Sequence, residues 1–383
     1  SGELPTTTAD ITAQKDAAEA GVDASVTSAV NAGTGVAGNT FTLTTGLDAK
    51  TGGAGDDTFN AVLQGAGDTG TTVAPGDVVN GGAGTDTLSI AVAGALGANT
   101  PYTLSAVQSN DVEKLLVSNF DTKTGGGTEE INTFDGALMN GLTTVGLSAS
   151  SASGDTTFSG LKNIVDVEMG NGAADLTVSY ASGVTTGTQT QNVAVSNVSA
   201  GTLTIAGVEN VNLTSGIVKS TLTALTAADM ESLTVTGSTD LKITGALDFA
   251  DATSSTAVDG TIDASAFTGK LNVTIGGSDI VDITGGSAAD SIDMAGTLTK
   301  ADTIDGGDGS DTLKMDSATL STQFTNVSNI ENVAINAPAA GTDIAIDASK
   351  LSAGVEKLIL DASDDDVSGT LQATTVTKAD GLL

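Results

Sequence analysis

Residues Gly306–Lys314 read GGDGSDTLK, and two further stretches repeat them closely: GGAGDDTFN at Gly52–Asn60 and GGAGTDTLS at Gly81–Ser89. All three fit the nine-residue pattern G-G-x-G-x-D-x-U-x, in which U is a large apolar residue. Paired glycines let the main chain turn through conformations closed to residues with a Cβ. Such a turn directs carbonyl oxygens inward, and the Asp at its sixth position adds a carboxylate. Hard oxygen donors crowded onto one short loop suit Ca2+. The residues that follow, Thr58-Phe59, Thr87-Leu88 and Thr312-Leu313, are expected to open short strands with Phe59, Leu88 and Leu313 facing inward.

The chain before Gly306 extends the pattern. From Gly276 it reads GGSDIVDIT, GGSAADSID and MAGTLTKADTID, so one nine-residue step is followed by another and then by an interval three residues longer. Half-copies precede two of the full motifs: Asp77-Val-Val-Asn before Gly81, and Asp302-Thr-Ile-Asp before Gly306. Ordinary metal-free Gly-Asp turns are the alternative. Three full matches, a neighbour in register and two half-copies weigh against it.

Composition removes most other chemistry. The 383 residues contain no Cys, His, Trp or Arg, and every basic residue is Lys. Disulfides are excluded, as are the usual zinc, copper and iron ligand sets. So are Ser-His and Cys-His dyads, which sets aside most familiar enzymes. The net charge of −34 is carried mainly by Asp, 37 residues against 10 Glu. Asp is a turn residue, whereas a solvated helical face would use Glu. The sign of the charge disfavours nucleic acid and anionic membranes as partners. Self-repulsion is expected to keep the cation-free chain expanded, and extracellular calcium concentrations would relieve it. No apolar run is long enough to span a bilayer. The N-terminus lacks the basic and apolar regions of a signal peptide, and Ser1 in place of Met suggests a processed or trimmed chain.

Along the chain, Ala18, Val22, Val26 and Val30 recur at i+4, which suggests a short amphipathic helix or a loosely ordered arm interrupted by Gly21. It reads either as a segment that docks on a neighbour or as a linker. Residues Ala61 to Gly76 are expected to loop out between the first two motifs. From about residue 100 a second grammar takes over. Val112-Glu-Lys-Leu-Leu-Val, Leu161-Lys-Asn-Ile-Val-Asp-Val, Val208-Glu-Asn-Val-Asn-Leu, Met230-Glu-Ser-Leu-Thr-Val, Ile330-Glu-Asn-Val-Ala-Ile and Val355-Glu-Lys-Leu-Ile-Leu each end in apolar-x-apolar, a strand with one buried face. Five of the ten Glu occupy one position in it, and intervals of 22 and 25 residues match one rung of a β-solenoid. The repeated Glu reads as a corner residue that caps backbone N–H groups, with a ladder of cation sites as the alternative. Asp263, Asp347 and Asp361 open Asp-Ala-Ser turns. Thr-x-Thr strands such as Thr234-Val-Thr236 do not recur at one fixed period, which argues against an ice-binding face.

The motifs GGAGDDTF, GGAGTDTL and GGDGSDTL resemble RTX calcium-binding repeats. Together with GVENVNL, NIENVAI and GVEKLIL they resemble the lattice-forming part of RTX-type bacterial S-layer proteins, as in Caulobacter and its relatives, over roughly residues 41–365. The resemblance implies an all-β, elongated parallel β-solenoid or β-roll with Ca2+ in its turns. The expected organisation is an arm or linker over 1–40, a first RTX segment over 41–98 and solenoid rungs over 99–275. A second roll over 276–316 and C-terminal rungs over 317–383 follow. Carried over by position, the ligands would be Gly53, Gly55 and Asp57 with Gly82, Gly84 and Asp86. In the second roll they would be Gly307, Gly309 and Asp311 with Asp290 on the preceding coil, and the half-copies would add Asp77, Asp302 and Asp305. Ala288 stands where the family has Gly, so the Gly285 turn is expected to hold calcium weakly or not at all.

The resemblance further implies an extracellular protein exported by a type I system through a C-terminal signal. Its expected partners are copies of itself in a Ca2+-dependent surface layer, sheet or filament, and a cell-surface polysaccharide reached through a region outside this chain. An adhesin or a non-catalytic module of a larger secreted RTX protein is the alternative. An enzyme is not expected: only Tyr102, Tyr180 and a few Phe could serve as sugar platforms, and no catalytic constellation stands out.

Overall fold

The computed structural model describes residues 36–361, apart from 65–69, 95–101, 105–106, 122–131, 251–257, 278, 317–323, 337–344 and 348–353, together with Thr375–Thr377. The chain is all-β, and among the described residues every strand ladder is parallel. A thirteen-stranded sheet runs from Thr40–Thr42 to Val327–Ser328. A three-stranded sheet (Ala49–Thr51, Val78–Asn80, Gln108–Asn110) accompanies its start. A six-stranded sheet (Tyr102–Leu104 to Ala224–Thr226) covers its middle, and a seven-stranded sheet (Ser220–Leu222 to Lys357–Asp361) its later part. The chain visits these sheets alternately and returns to each one rung further on. That is the β-solenoid expected from the rung pattern.

Parallel strands cannot be joined by a tight hairpin, so each return needs a full coil, and the coil is held by stacking on its neighbours. The stacking is visible as one inward column of nine residues in register. Phe41, Phe59, Leu88, Leu115, Val145, Val167, Val193, Leu213 and Val235 pair in succession across nine strands. All but Phe41, which is half-buried and packs on the core, are buried. Phe41 and Phe59 stack with ring centroids 4.9 Å apart. In the seven-stranded sheet Val273, Ile292, Leu313 and Val333 form the equivalent column. Thus Phe59, Leu88 and Leu313 face inward as expected.

Two expectations change. Residues 61–64 do not loop out: Ala61 and Leu63 are buried in the strand Thr58–Gln64. The chain then returns so that the Thr72 N–H bonds the Val62 carbonyl at 2.8 Å and Val73 enters the core. An apolar residue at every second position pulled this segment into the wall. Second, threonines do stack despite unequal spacing. Thr103, Thr133, Thr157, Thr177, Thr204 and Thr226 lie in register on the six-stranded sheet, because turns absorb the differences in rung length. The column is one residue wide, with Asp135 and Ser159 at the next outward position. In the long sheet Thr87–Gly94 pairs with Lys114–Asp121, Gly260–Asp263 with Val281–Thr284, and Thr303–Asp305 with Val327–Ser328, so strands from neighbouring expected segments pair in one sheet. The helix expected around Ala18, Val22, Val26 and Val30 lies outside the described residues. No described helix is long and apolar enough to cross a membrane.

Candidate metal centre

The nine-residue motifs form corners that stack in pairs. In the first pair the Gly52–Asp57 turn lies under Gly81–Asp86, and the Ala83 N–H bonds the Gly53 carbonyl at 2.9 Å. In the second pair Gly285–Asp290 lies under Gly306–Asp311, and the Asp308 N–H bonds the Gly286 carbonyl at 3.0 Å. The sixth-position carboxylates then climb in a column. The Asn39 N–H donates to Asp57 Oδ1 (2.5 Å), the Asp57 N–H to Asp86 Oδ1 (2.6 Å) and the Asp86 N–H to Glu113 Oε2 (2.7 Å). The second column repeats this: the Leu271 N–H donates to Asp290 Oδ1 (2.8 Å), Asp290 N–H to Asp311 Oδ1 (2.7 Å) and Asp311 N–H to Glu331 Oε2 (2.8 Å).

Glu113 and Glu331 belong to the second sequence grammar, so the two patterns are one register. At Glu113 and Glu331 the repeated Glu is the rung-corner counterpart of the nonapeptide Asp, and there it caps a backbone N–H as expected. Glu209 does the same for the Gln189 N–H at 2.6 Å. Two residues before the corner carboxylates Asp86, Glu113, Glu209, Asp311 and Glu331 the chain is left-handed, at Gly84, Asp111, Gly207, Gly309 and Asn329. Asp and Asn tolerate that conformation better than other residues with a side chain. Sequence reasoning missed Asp111 and Asn329 in this role. The signal was there: an Asx two places before Glu113 and Glu331, where the motifs have Gly.

The two turns of a pair are not alike. In the lower turns the carboxylate is fully used, because Asp57 Oδ2 accepts from the Gly53 N–H (2.5 Å) and Asp290 Oδ2 from the Gly286 N–H (2.6 Å). In the upper turns Gly82 (φ 103°) and Gly307 (φ 87°) are left-handed, as are Gly84 (φ 140°) and Gly309 (φ 134°). There no N–H reaches Asp86 Oδ2 or Asp311 Oδ2, and both oxygens are buried without a partner. A buried acceptor left unmatched is costly. Asn80 Oδ1, on the residue before Gly81, is also buried and unmatched.

The carboxyl groups respond accordingly. Burial pushes Asp57 up, but N–H donors from Gly53 and Asn39 outweigh it and hold the group below the ordinary value. At Asp86 burial prevails over the Asp57 N–H and is reinforced by the charges of Glu113, Asp57 and Asp56, so the group is raised. Asp290 is raised by burial despite its two N–H donors. Asp311 is pushed up to about 7, by burial first, against the Asp290 N–H, and then by the charges of Asp290, Glu331 and Asp305.

The structure therefore gathers Gly53, Gly55, Asp57, Gly82, Gly84 and Asp86 at one corner and Asp290, Asp305, Gly307, Gly309 and Asp311 at the other. Asp305 Oδ1 accepts from the Gly307 N–H (3.1 Å) and from Asn329 Nδ2 (2.6 Å). Asp77 and Asp302 are elsewhere, at the far ends of the strands Val78–Asn80 and Thr303–Asp305. Asp77 accepts from the Asp48 and Ala74 N–H groups, and Asp302 from the Val281 and Thr299 N–H groups. Each closes its own turn with both oxygens taken. The half-copies mark a second kind of corner.

Among the described residues no three carboxylates converge. A cation at these corners would draw on main-chain carbonyls as well as side chains. The donor set is all oxygen, crowded and partly unmatched, which fits a hard dication such as Ca2+ and no softer metal. Compared with family models, curated proteins and solved structures, the chain finds no match.

Proposed function

We propose that this chain is a structural, non-catalytic protein of the bacterial cell surface, a solenoid that takes up Ca2+ at its glycine corners and assembles with copies of itself into a layer or filament. The observation that carries the reading is the recurrence, at two corners far apart in sequence, of a buried carboxylate oxygen with no donor, at Asp86 and Asp311. A dication supplies the missing positive charge and lets carboxylates stack one rung apart. The net charge of −34 supports it further, since subunits so charged approach one another only with counterions between them. Solenoid ends present strand edges, which are natural pairing surfaces. An extracellular location reached by type I secretion belongs to the same reading, because calcium is plentiful there.

The test is electron microscopy of purified protein dialysed into calcium, then into excess EGTA. Ordered sheets or filaments that dissolve on chelation, with loss of β-type circular dichroism, are expected. Assemblies that persist in EGTA would overturn the calcium bridge. Monodisperse rods in calcium would instead favour a non-assembling binding module such as an adhesin.

A further inference from the structure

The resemblance to RTX repeats would put the ion between two nine-residue turns, Gly52–Asp57 with Gly81–Asp86 and Gly285–Asp290 with Gly306–Asp311. The hydrogen bonding points one tier higher. Around the first glycine of each turn, where a Cβ would sit, two oxygens crowd together: the turn's own Asp Oδ2 and a carbonyl from the next tier. At Gly52 these are Asp57 Oδ2 and the Gly81 carbonyl, and at Gly285 they are Asp290 Oδ2 and the Gly306 carbonyl. In both lower cradles Oδ2 already holds a protein N–H, from Gly53 or Gly286.

At Gly81 the pair is Asp86 Oδ2 and the Asp111 carbonyl; at Gly306 it is Asp311 Oδ2 and the Asn329 carbonyl. Here no donor separates the two acceptors, and each carboxylate oxygen is buried and unmatched. Asp86 is 0 % exposed and Asp311 1 %. The carbonyls come from Asp111 and Asn329, both left-handed at φ 50°, which are not part of any nine-residue motif. Two acceptors facing each other without a proton repel, and a cation between them turns the repulsion into coordination.

We propose that each roll binds its divalent cation in the upper cradle. The ion lies between the second nine-residue turn and a third tier formed by Asp111-Val112-Glu113 in one roll and Asn329-Ile330-Glu331 in the other. The third tier contributes the Asp111 or Asn329 carbonyl, while Glu113 or Glu331 fixes the Asp86 or Asp311 backbone through its N–H. This deepens the calcium reading and rests on it. It predicts one ion per roll. Asp57 and Asp290 then act as positioning residues, with their side chains committed to N–H groups.

The experiment is calcium titration by isothermal calorimetry, with bound ions counted by native mass spectrometry, on the full chain and on Asp86→Asn, Asp311→Asn, Asp57→Asn and Asp290→Asn. Two ions are expected for the parent chain. Asp86→Asn and Asp311→Asn should each remove one, weakening that site by about 100-fold or more, beyond the range typical of outer partners. Asp57→Asn and Asp290→Asn should retain both ions. A second readout needs no calcium. In EGTA, Asn at 86 or 311 places an N–H2 donor against the Asp111 or Asn329 carbonyl, so the urea midpoint should rise. Equal loss of ions from Asp57→Asn and Asp290→Asn would overturn the upper cradle. So would a fall in the EGTA midpoint for Asp86→Asn and Asp311→Asn. No binding to the parent chain would instead sink the calcium reading beneath it.

Discussion

The corner at Asp57, Asp86 and Glu113 and the corner at Asp290, Asp311 and Glu331 are built alike on coils of different length. Successive carboxylates are 29 and 27 residues apart in the first column and 21 and 20 in the second. The difference is a whole strand. In the first roll a coil such as Thr87–Gly94, Tyr102–Leu104 and Gln108–Asn110 has three, whereas in the second Thr303–Asp305 and Thr312–Asp316 complete a coil with two. The corners even join different sheets: the first leads from the three-stranded sheet into the long one, the second from the long sheet into the seven-stranded one. Corner geometry is therefore set by its own few residues and by the tier beneath. The rest of the coil can change length without disturbing it.

The sharpest way to break this equivalence is at the left-handed glycines. A Cβ at Gly82 would meet the Gly53 carbonyl, and one at Gly307 the Gly286 carbonyl, so both strain and collision oppose substitution. Gly82→Ala and Gly307→Ala should each destabilise the chain by about 1–3 kcal/mol, the usual cost of a strained backbone residue. Urea denaturation measures it. A loss at one position only would show that the corners are not the same device.

A smaller effect tests the third tier. Glu113→Ala and Glu331→Ala remove the acceptors of the Asp86 and Asp311 N–H groups, at a cost of about 1 kcal/mol. The cost is held down because each change also removes a negative charge that raises the neighbouring Asp. Glu→Gln keeps an acceptor and should restore stability in EGTA. If Gln behaves like Ala, the carboxylate acts through charge and the capping role fails.

How much of this was open to reading depends on whether the cause is local. The nine-residue turns and the apolar-x-apolar strands are local, so Phe59, Leu88 and Leu313 could be placed inward from the chain alone. The match between Asp86 and Glu113, or Asp311 and Glu331, is a matter of register between coils of unequal length. No spacing in the sequence announces it. The same holds for Asp77 and Asp302, whose half-copies look like motif fragments but whose oxygens are taken by Asp48, Ala74, Val281 and Thr299 N–H groups. Val73 joins the core because the strand from Thr58 continues past the motif, a consequence of pairing with Thr87–Gly94. The orphaned oxygens of Asp86 and Asp311 follow from a peptide orientation at Gly82 and Gly307, which composition does not reveal.

The finest distinction between the two corners is Ala288, which stands where the first has Gly55. A sequence rule that demands Gly there predicts a damaged turn. Yet neither Gly55 nor Ala288 is left-handed; the left-handed glycines of each pair are in the upper turn, at Gly84 and Gly309. The Gly286 N–H still reaches Asp290 Oδ2 at 2.6 Å, matching the Gly53 bond to Asp57 at 2.5 Å. Ala288 therefore strains nothing, and returning it to Gly only frees the unfolded chain. Ala288→Gly should lower stability by about 0.4–1 kcal/mol and leave calcium binding unchanged. A gain in stability or affinity would mean that the lower turn needs glycine after all. The two corners would then differ in the one respect that matters for an ion.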